Sequence, residues 1–203
     1  MVCALLPVCQ GDYVYLFFDT ETTGLPKHRN APVSDLKNWP RLVQIAWLVA
    51  DDKGTEIACA EQIVKPRGFT IPADAARIHG ITTERALQQG KELISVLDAI
   101  VKDINRSSVL ISHNIEFDEK VLGAELLRAR YPNCLATKER RCTKQLATDF
   151  CQLPGQYGYK WPTLPELYMK LFNKKLEEAH RALADVRICA ECYYELKRRR
   201  IID

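Results

Sequence analysis

The sequence predicts one α/β domain over residues 1–203, with a central mixed β-sheet of about five strands flanked by helices. Three observations carry this. Three strand-like runs come first, followed by helix, strand, helix, strand and further helices, which is not the regular βαβ series of a dinucleotide fold. No internal repeat, low-complexity tract or linker divides the chain, and its 203 residues suit a single sizeable core. Neither a G-x-G-x-x-G after a strand nor a Walker A motif occurs.

The elements follow in order. The run VYLFF at 14–18 is β-branched and aromatic and reads as a strand buried on both faces. A polar, proline-bounded loop covers 26–40 and carries Lys27, His28 and Arg29, which suit either a solvated surface or a nucleic-acid backbone. RLVQIAWLVAD is the second strand, with Val43, Ile45, Trp47 and Val49 on one alternating face. The turn DDKG leads into TEIACAEQIVK, so strands two and three form a hairpin. IPADAARIHG predicts a short helix after Pro72 that stops at Gly80. Thr82 or Thr83 caps the segment that follows, where Leu93, Val96, Leu97, Ile100, Val101 and Ile104 recur at helical spacing.

SSVLISH is a compact strand running into the helix NIEFDEKVLGAELLRARY, with Asn114 at its start. RRCT reads weakly as a last strand. TLPELYMKLF is a helix opened by Thr163 with Pro165 in its first turn, and AHRALADVRICAECYYELKRR is a long terminal helix.

Composition narrows the class of protein. The formal net charge of +3 is too small to decide for or against nucleic acid. The run KRRR at 197–200 suits a helix C-terminus, where the macrodipole favours cations. Eight cysteines are scattered, several within apolar runs, and Cys189 and Cys192 lack the second C-x-x-C that a zinc site needs. They read as core-facing thiols in a reducing cytoplasm. No apolar run approaches the roughly 20 residues of a membrane span, and MVCALLPVC lacks the basic start of a signal peptide.

The chemistry concentrates in a few polar residues. In FFDTETTGLP at 17–26, Asp19 and Glu21 are i and i+2 on an extended chain and point the same way. Such a pair repels and resists desolvation unless a cation lies between its members or water reaches them. Asp118 stands about one turn into the helix after SSVLIS, where first-turn helix chemistry alone could explain it. Asp185, flanked by apolar neighbours in HRALADV, needs a polar partner. His180 precedes it by five residues, which turns the two about 140° apart on a regular helix. They converge only if His180 lies on the loop before that helix. Four acids and a histidine from separate elements resemble a hard-cation site, since Mg²⁺ takes oxygen ligands and keeps some of its water. Two such cations can activate water and stabilise a leaving oxygen in phosphodiester cleavage.

FDTETTG, HNIEFD and HRALADV together resemble the three motifs of the DEDDh, or DnaQ-like, 3′–5′ exonuclease family, which has an RNase H-like fold. The match covers about 14–198, and Arg181 stands where the sister DEDDy group has tyrosine. The resemblance implies a single exonuclease domain that releases nucleoside 5′-monophosphates from 3′ ends with two Mg²⁺ or Mn²⁺ ions. Asp19 would bridge the metals, Glu21 and Asp185 would hold one, Asp118 would help hold the other, and His180 would be the general base. It further implies substrate contacts from Thr20 through its backbone, Leu25 as a wedge between the last bases, Asp74 near the terminal sugar, and His79, Asn114 and Phe117 around the pocket.

Single-stranded DNA is the expected partner over RNA, because ETTGL is closer to the DNA-acting branch. An RNA-trimming relative is the nearest rival. A non-catalytic nucleic-acid-binding adaptor on the same fold is the second, and the intact acids oppose it. A sugar or nucleotide kinase relative would need glycine turns that the chain lacks. No long tether tail follows the last motif, which leaves attachment to a DNA polymerase open, along with oligomeric state.

Overall fold

A computed structural model describes residues 13–176 and 182–203. Five strands form one sheet in the order β3-β2-β1-β4-β5. They are β1 (Tyr15–Thr22), β2 (Leu42–Ala50), β3 (Glu56–Ile63), β4 (Val109–Ser112) and β5 (Glu139–Cys142). β1 pairs antiparallel with β2 and β2 with β3, whereas β4 and β5 run parallel to β1. The expected mixed five-stranded sheet is what forms, including the β2–β3 hairpin and the weakly marked β5. β2 is buried along its whole length and not on one face alone. Ile45, Trp47 and Val49 face one core, and Ala46, Leu48 and Ala50 face the other. Helices covering both faces of the sheet explain this.

On one face, α3 (Leu93–Arg106) and α4 (Ile115–Arg128) bury Val96, Leu97, Ile100, Val121 and Leu122 against Leu16, Phe18 and Trp47. On the other, α8 (Ala182–Arg198) lays Val186, Cys189 and Tyr193 over Tyr15, Phe17 and Ile111. The shorter helices are α1 (Ala73–His79), α2 (Thr83–Gln89), α5 (Thr143–Leu146), α6 (Thr148–Cys151) and α7 (Leu164–Phe172). Between α6 and α7, β6 (Pro154–Gly155) and β7 (Gly158–Tyr159) form a small hairpin that the sequence pattern does not show.

Local signals act where expected. Gly80 closes α1 at φ 72°, a left-handed position that favours glycine. Thr82 caps α2, and Thr163 with Glu166 makes a reciprocal capping box at α7. Periodicity does not reveal that α2 and α3 are separate helices. The break falls at Gly90, where a Cβ would lie 2.3 Å from the Ala86 carbonyl oxygen and 2.7 Å from the Lys65 nitrogen. The chain there is drawn against β3's exit by the Lys65–Lys91 and Lys91–Ile63 backbone bonds. Cys189 and Cys192 are buried in the core, and burial pushes the Cys189 thiol up to about 12. The basic C-terminal run is engaged within the protein: Arg198 and Arg199 each donate to Glu195 at 2.7 Å. Among the described residues, no helix is long and apolar enough to cross a membrane.

The 26–40 loop is closely knit. Asn38 exchanges two bonds with the His28 backbone, and the Trp39 indole donates to the Pro32 carbonyl. Arg128 donates to the Leu36 and Trp39 carbonyls and pairs with Glu125 at 3.0 Å. Glu125, 1% exposed, also accepts from Arg41 Nε at 2.8 Å and the Leu42 N–H at 3.1 Å. This carboxylate thus joins α4, β2 and the loop that walls one side of the cleft described below. Replacing it strands two arginines. Glu125→Ala is expected to cost about 3 kcal/mol and to lower the melting temperature by roughly 6–12 °C in a domain of this size. Differential scanning calorimetry checks it, and a shift under about 2 °C would contradict it.

Candidate active site

β1 outruns its parallel partner. The β1–β4 ladder ends at Phe17 with Ile111, so the following residues, Phe18 to Thr22, lack a strand on that side. Asp19 and Glu21 project from this extension, as their two-residue spacing predicts. α8, packed on β1 through its apolar face, delivers Asp185 to the same place. Carboxylate oxygens of Asp19, Glu21 and Asp185 lie within 4.8 Å of one another, and all three residues are half-buried. Two full charges at that separation repel by roughly 3 kcal/mol at an effective dielectric of 20.

Burial and that repulsion act in the same direction on these acids. Burial, then the Asp118, Glu21 and Asp185 carboxylates, hold Asp19 well above the usual carboxylate range. Burial, then Asp185 and Asp118, push Glu21 up to about 8. An all-oxygen donor set that resists ionisation fits a hard divalent cation, whose charge would offset theirs. No thiol or imidazole belongs to the trio, so the donors fit Mg²⁺ or Mn²⁺ better than zinc.

Asp118 is close but placed differently. It is 3% exposed, and both of its oxygens already accept hydrogen bonds. Oδ1 takes the Thr20 N–H at 3.1 Å and the Thr20 hydroxyl at 2.7 Å, and Oδ2 takes the Ser112 hydroxyl at 2.5 Å. Burial pushes its carboxyl up to about 6 against these bonds. The Thr20 N–H thus donates to Asp118. Past the end of the β1–β4 ladder, this carboxylate satisfies a donor that no strand reaches.

The acids line a cleft of about 720 Å³ together with Leu25, Asn114 and Phe117. A second, of about 450 Å³, adjoins it and contains Asp74 and His79. Leu25, 78% exposed, and Phe117 line both and so stand between them. Asn114 precedes α4 as expected but does not cap it; its Oδ1 accepts from Lys144 Nζ at 2.5 Å. Asp74 pairs with Arg77. His79 is buried, its Nδ1 accepting the Ile81 N–H at 3.1 Å, so its proton resides on Nε2. Burial and the Arg85 charge hold that ring below its usual pKa, opposed by the Thr22 carbonyl. His180 lies outside the described residues.

Three residues at the site were not singled out by the sequence. His113, first in HNIEFD, donates from Nε2 to the Pro162 carbonyl at 3.0 Å and accepts the Thr143 hydroxyl on Nδ1 at 2.9 Å. A carbonyl can only accept, which sets this tautomer, and burial pushes the ring down to about 4, keeping it neutral. Trp161 and Lys144 line the large cleft, the ammonium 4.3 Å from the indole centroid. Only the histidine carried a signal, through its place in the motif.

Known proteins agree with this geometry. The RNase_T family, described as exonuclease, matches residues 16–193. The DNA polymerase III subunit epsilon of Treponema pallidum is 30% identical over 179 residues, covering 87% of this chain and 73% of that protein. PolC-type DNA polymerase III of Streptococcus pyogenes is 32% identical over 118 residues, which span 58% of this chain and 7% of that polymerase. Among solved structures, the zinc-bound E. coli ExoI–ssDNA complex superposes with a TM-score of 0.74 at 21% identity, covering 93% of this chain and 42% of ExoI. Exonuclease I of Methylocaldum szegediense gives 0.71 at 20%, over 92% of this chain and 41% of that one. The chain thus spans less than half of those exonucleases, and at such identities the likeness is one of fold. With the family matched across nearly all of the sheet and α8, the chain belongs to the RNase_T exonuclease family, the DnaQ-like 3′–5′ exonucleases of RNase H-like fold.

Proposed function

We propose that this chain removes nucleoside 5′-monophosphates one at a time from the 3′ ends of single-stranded DNA, by metal-dependent hydrolysis. The convergence of Asp19, Glu21 and Asp185 within 4.8 Å in a cleft open to solvent carries this reading. These three would hold one divalent cation, with Asp19 bridging to a second that Asp118 supports through water. Mg²⁺ or Mn²⁺, once bound, activates water and offsets charge on the leaving oxygen. The chain's own groups do the remainder. Asp118 braces Thr20 and so the strand that bears Asp19 and Glu21. His180 would take the proton of the attacking water. Leu25 would part the last two bases, with Phe117 beside it and Asp74, Asn114 and His79 around the terminal nucleotide.

The choice of DNA is supported by ExoI, which is seen in complex with ssDNA and with dT13. Kinship with an epsilon subunit makes association with a DNA polymerase part of the same proposal. The described cysteines are all free, which suits a cytoplasmic setting.

The deciding experiment is a gel time course on 5′-labelled DNA and RNA oligonucleotides with Mg²⁺, Mn²⁺ or EDTA. A metal-dependent ladder shortening from the 3′ end, faster on DNA and absent in Asp19→Ala, is expected. No shortening of either strand would favour a binding adaptor. Calorimetric titration with Mn²⁺ should show that Asp19→Ala has lost its metal sites; two ions still held at high occupancy would refute the bridging role.

His180→Ala should retain metal and DNA binding yet lose about 10²- to 10⁴-fold in turnover. Single-turnover rates equal to wild type at neutral pH would remove His180 from the mechanism.

Metal affinity should also depend on pH. Glu21 titrates near 8 in the metal-free fold, far above its unfolded value, so its contribution to stability is present in acid and lost as pH rises through about 8. A cation relieves the ionised trio and must displace protons below that pH. Mn²⁺ affinity is therefore expected to rise steadily from about pH 6 to about 8 and then level off, with the metal-induced rise in melting temperature following it. Equal affinity across that window would show that the trio is not the ligand set.

A further inference from the structure

The β6–β7 hairpin presents aromatic side chains that the catalytic acids do not use. Tyr157 is 94% exposed, Tyr159 52% and Trp161 54%. Tyr159 ends β7 and Trp161 follows it two residues on. Water is a poor environment for three such rings within five residues, and among the described residues all three stay more than half exposed.

Their support is rigid. Gly158 adopts φ 115°, and a Cβ on Gly155 would lie 2.9 Å from the Gly158 carbonyl oxygen, so the tight hairpin depends on both glycines. The Lys160 N–H donates to the Leu153 carbonyl at 2.9 Å and extends the pairing. His113 then clamps Pro162 to the end of β4, beside the cleft. Trp161 and Lys144 belong to the wall of the cleft that holds the acids, and Lys144 joins the Trp161 ring to Asn114. The hairpin is thus a continuation of that wall and not a separate patch.

Resting on the exonuclease reading, we propose that the hairpin is a stacking rail for the single strand upstream of the 3′ end. Unpaired bases would lie on Tyr157, Tyr159 and Trp161, and Lys144 would meet the backbone as the strand enters the cleft. Aromatic faces beside a cation suit a polynucleotide of unpaired bases, because every base has a π-face and every step a phosphate. The rail would make affinity grow with strand length, independently of sequence and of the sugar.

The test is fluorescence anisotropy with labelled oligo-dT in EDTA, so that no strand is cut. Wild type and the double variant Tyr157→Ser/Tyr159→Ser are compared on lengths from a trinucleotide to about 12 nucleotides. Both side chains are exposed, and circular dichroism confirms that the variant folds. Affinity for the longest strand should fall about tenfold or more, whereas the trinucleotide shows a smaller change. Abasic sites upstream of the 3′ end should reproduce the loss in wild type and add little in the variant. An RNA strand of equal length should show the same loss. Unchanged binding of long strands by the variant, indifference to abasic sites, or wild-type binding that does not grow with length would each overturn the proposal. Hydrolysis of the trinucleotide with Mg²⁺ is followed in parallel. Its absence would count against the nuclease reading, while binding alone decides the rail.

Discussion

Mutual repulsion among three half-buried carboxylates is the constraint around which the structure is arranged. Asp19, Glu21 and Asp185 lie within 4.8 Å of one another, where burial and like charge both disfavour ionisation. Holding them there takes a framework whose other parts are well satisfied. β1 and β2 supply it, packed on both faces by α3, α4 and α8. The central strand is rigid because its apolar residues are buried on both sides, and its polar end inherits that rigidity. A divalent cation held there would offset the charge of the ionised acids.

Asp118 shows how the same residue type serves a different purpose a few ångströms away. Thr20 and Ser112 satisfy its two oxygens, and the bond to Thr20 ties β1 to α4 across 98 residues of sequence. The carboxylate stands in for a strand where the parallel ladder stops. Glu125, farther along α4, repeats the logic by pinning Arg41, Leu42 and Arg128. One helix therefore uses two buried acids to position both the strand end and the loop beside it.

The walls of the cleft are held by polar contacts between distant segments. His113 joins the end of β4 to the chain leading into α7, and its neutral ring suits that role because burial keeps the proton on one nitrogen. Leu25 and Phe117 divide the open space into two connected clefts. One side thus presents carboxylates, and the rim presents aromatic rings and lysines. This separation of charge suits a substrate whose reacting end is phosphate and whose remainder is a chain of bases.

Features under short-range rules were legible in the amino-acid order. The period of two placed Asp19 and Glu21 on one side of β1. Gly80 closed α1, Thr163 and Glu166 opened α7, and apolar flanks marked Cys189 and Cys192 as core residues. The order of strand-like and helix-like runs carried the mixed five-stranded sheet, and the family motifs carried its RNase H-like identity. Other features depended on contacts between segments far apart in the chain, which no local period encodes. The break at Gly90 arises from Lys65 lying against it, and the full burial of β2 from helices on both faces. Asp118 is set apart from the other acids by where β4 stops relative to β1, which depends on strand pairing across the fold. The β6–β7 hairpin is too short to have a period at all, and its place beside the cleft comes from the His113–Pro162 bond.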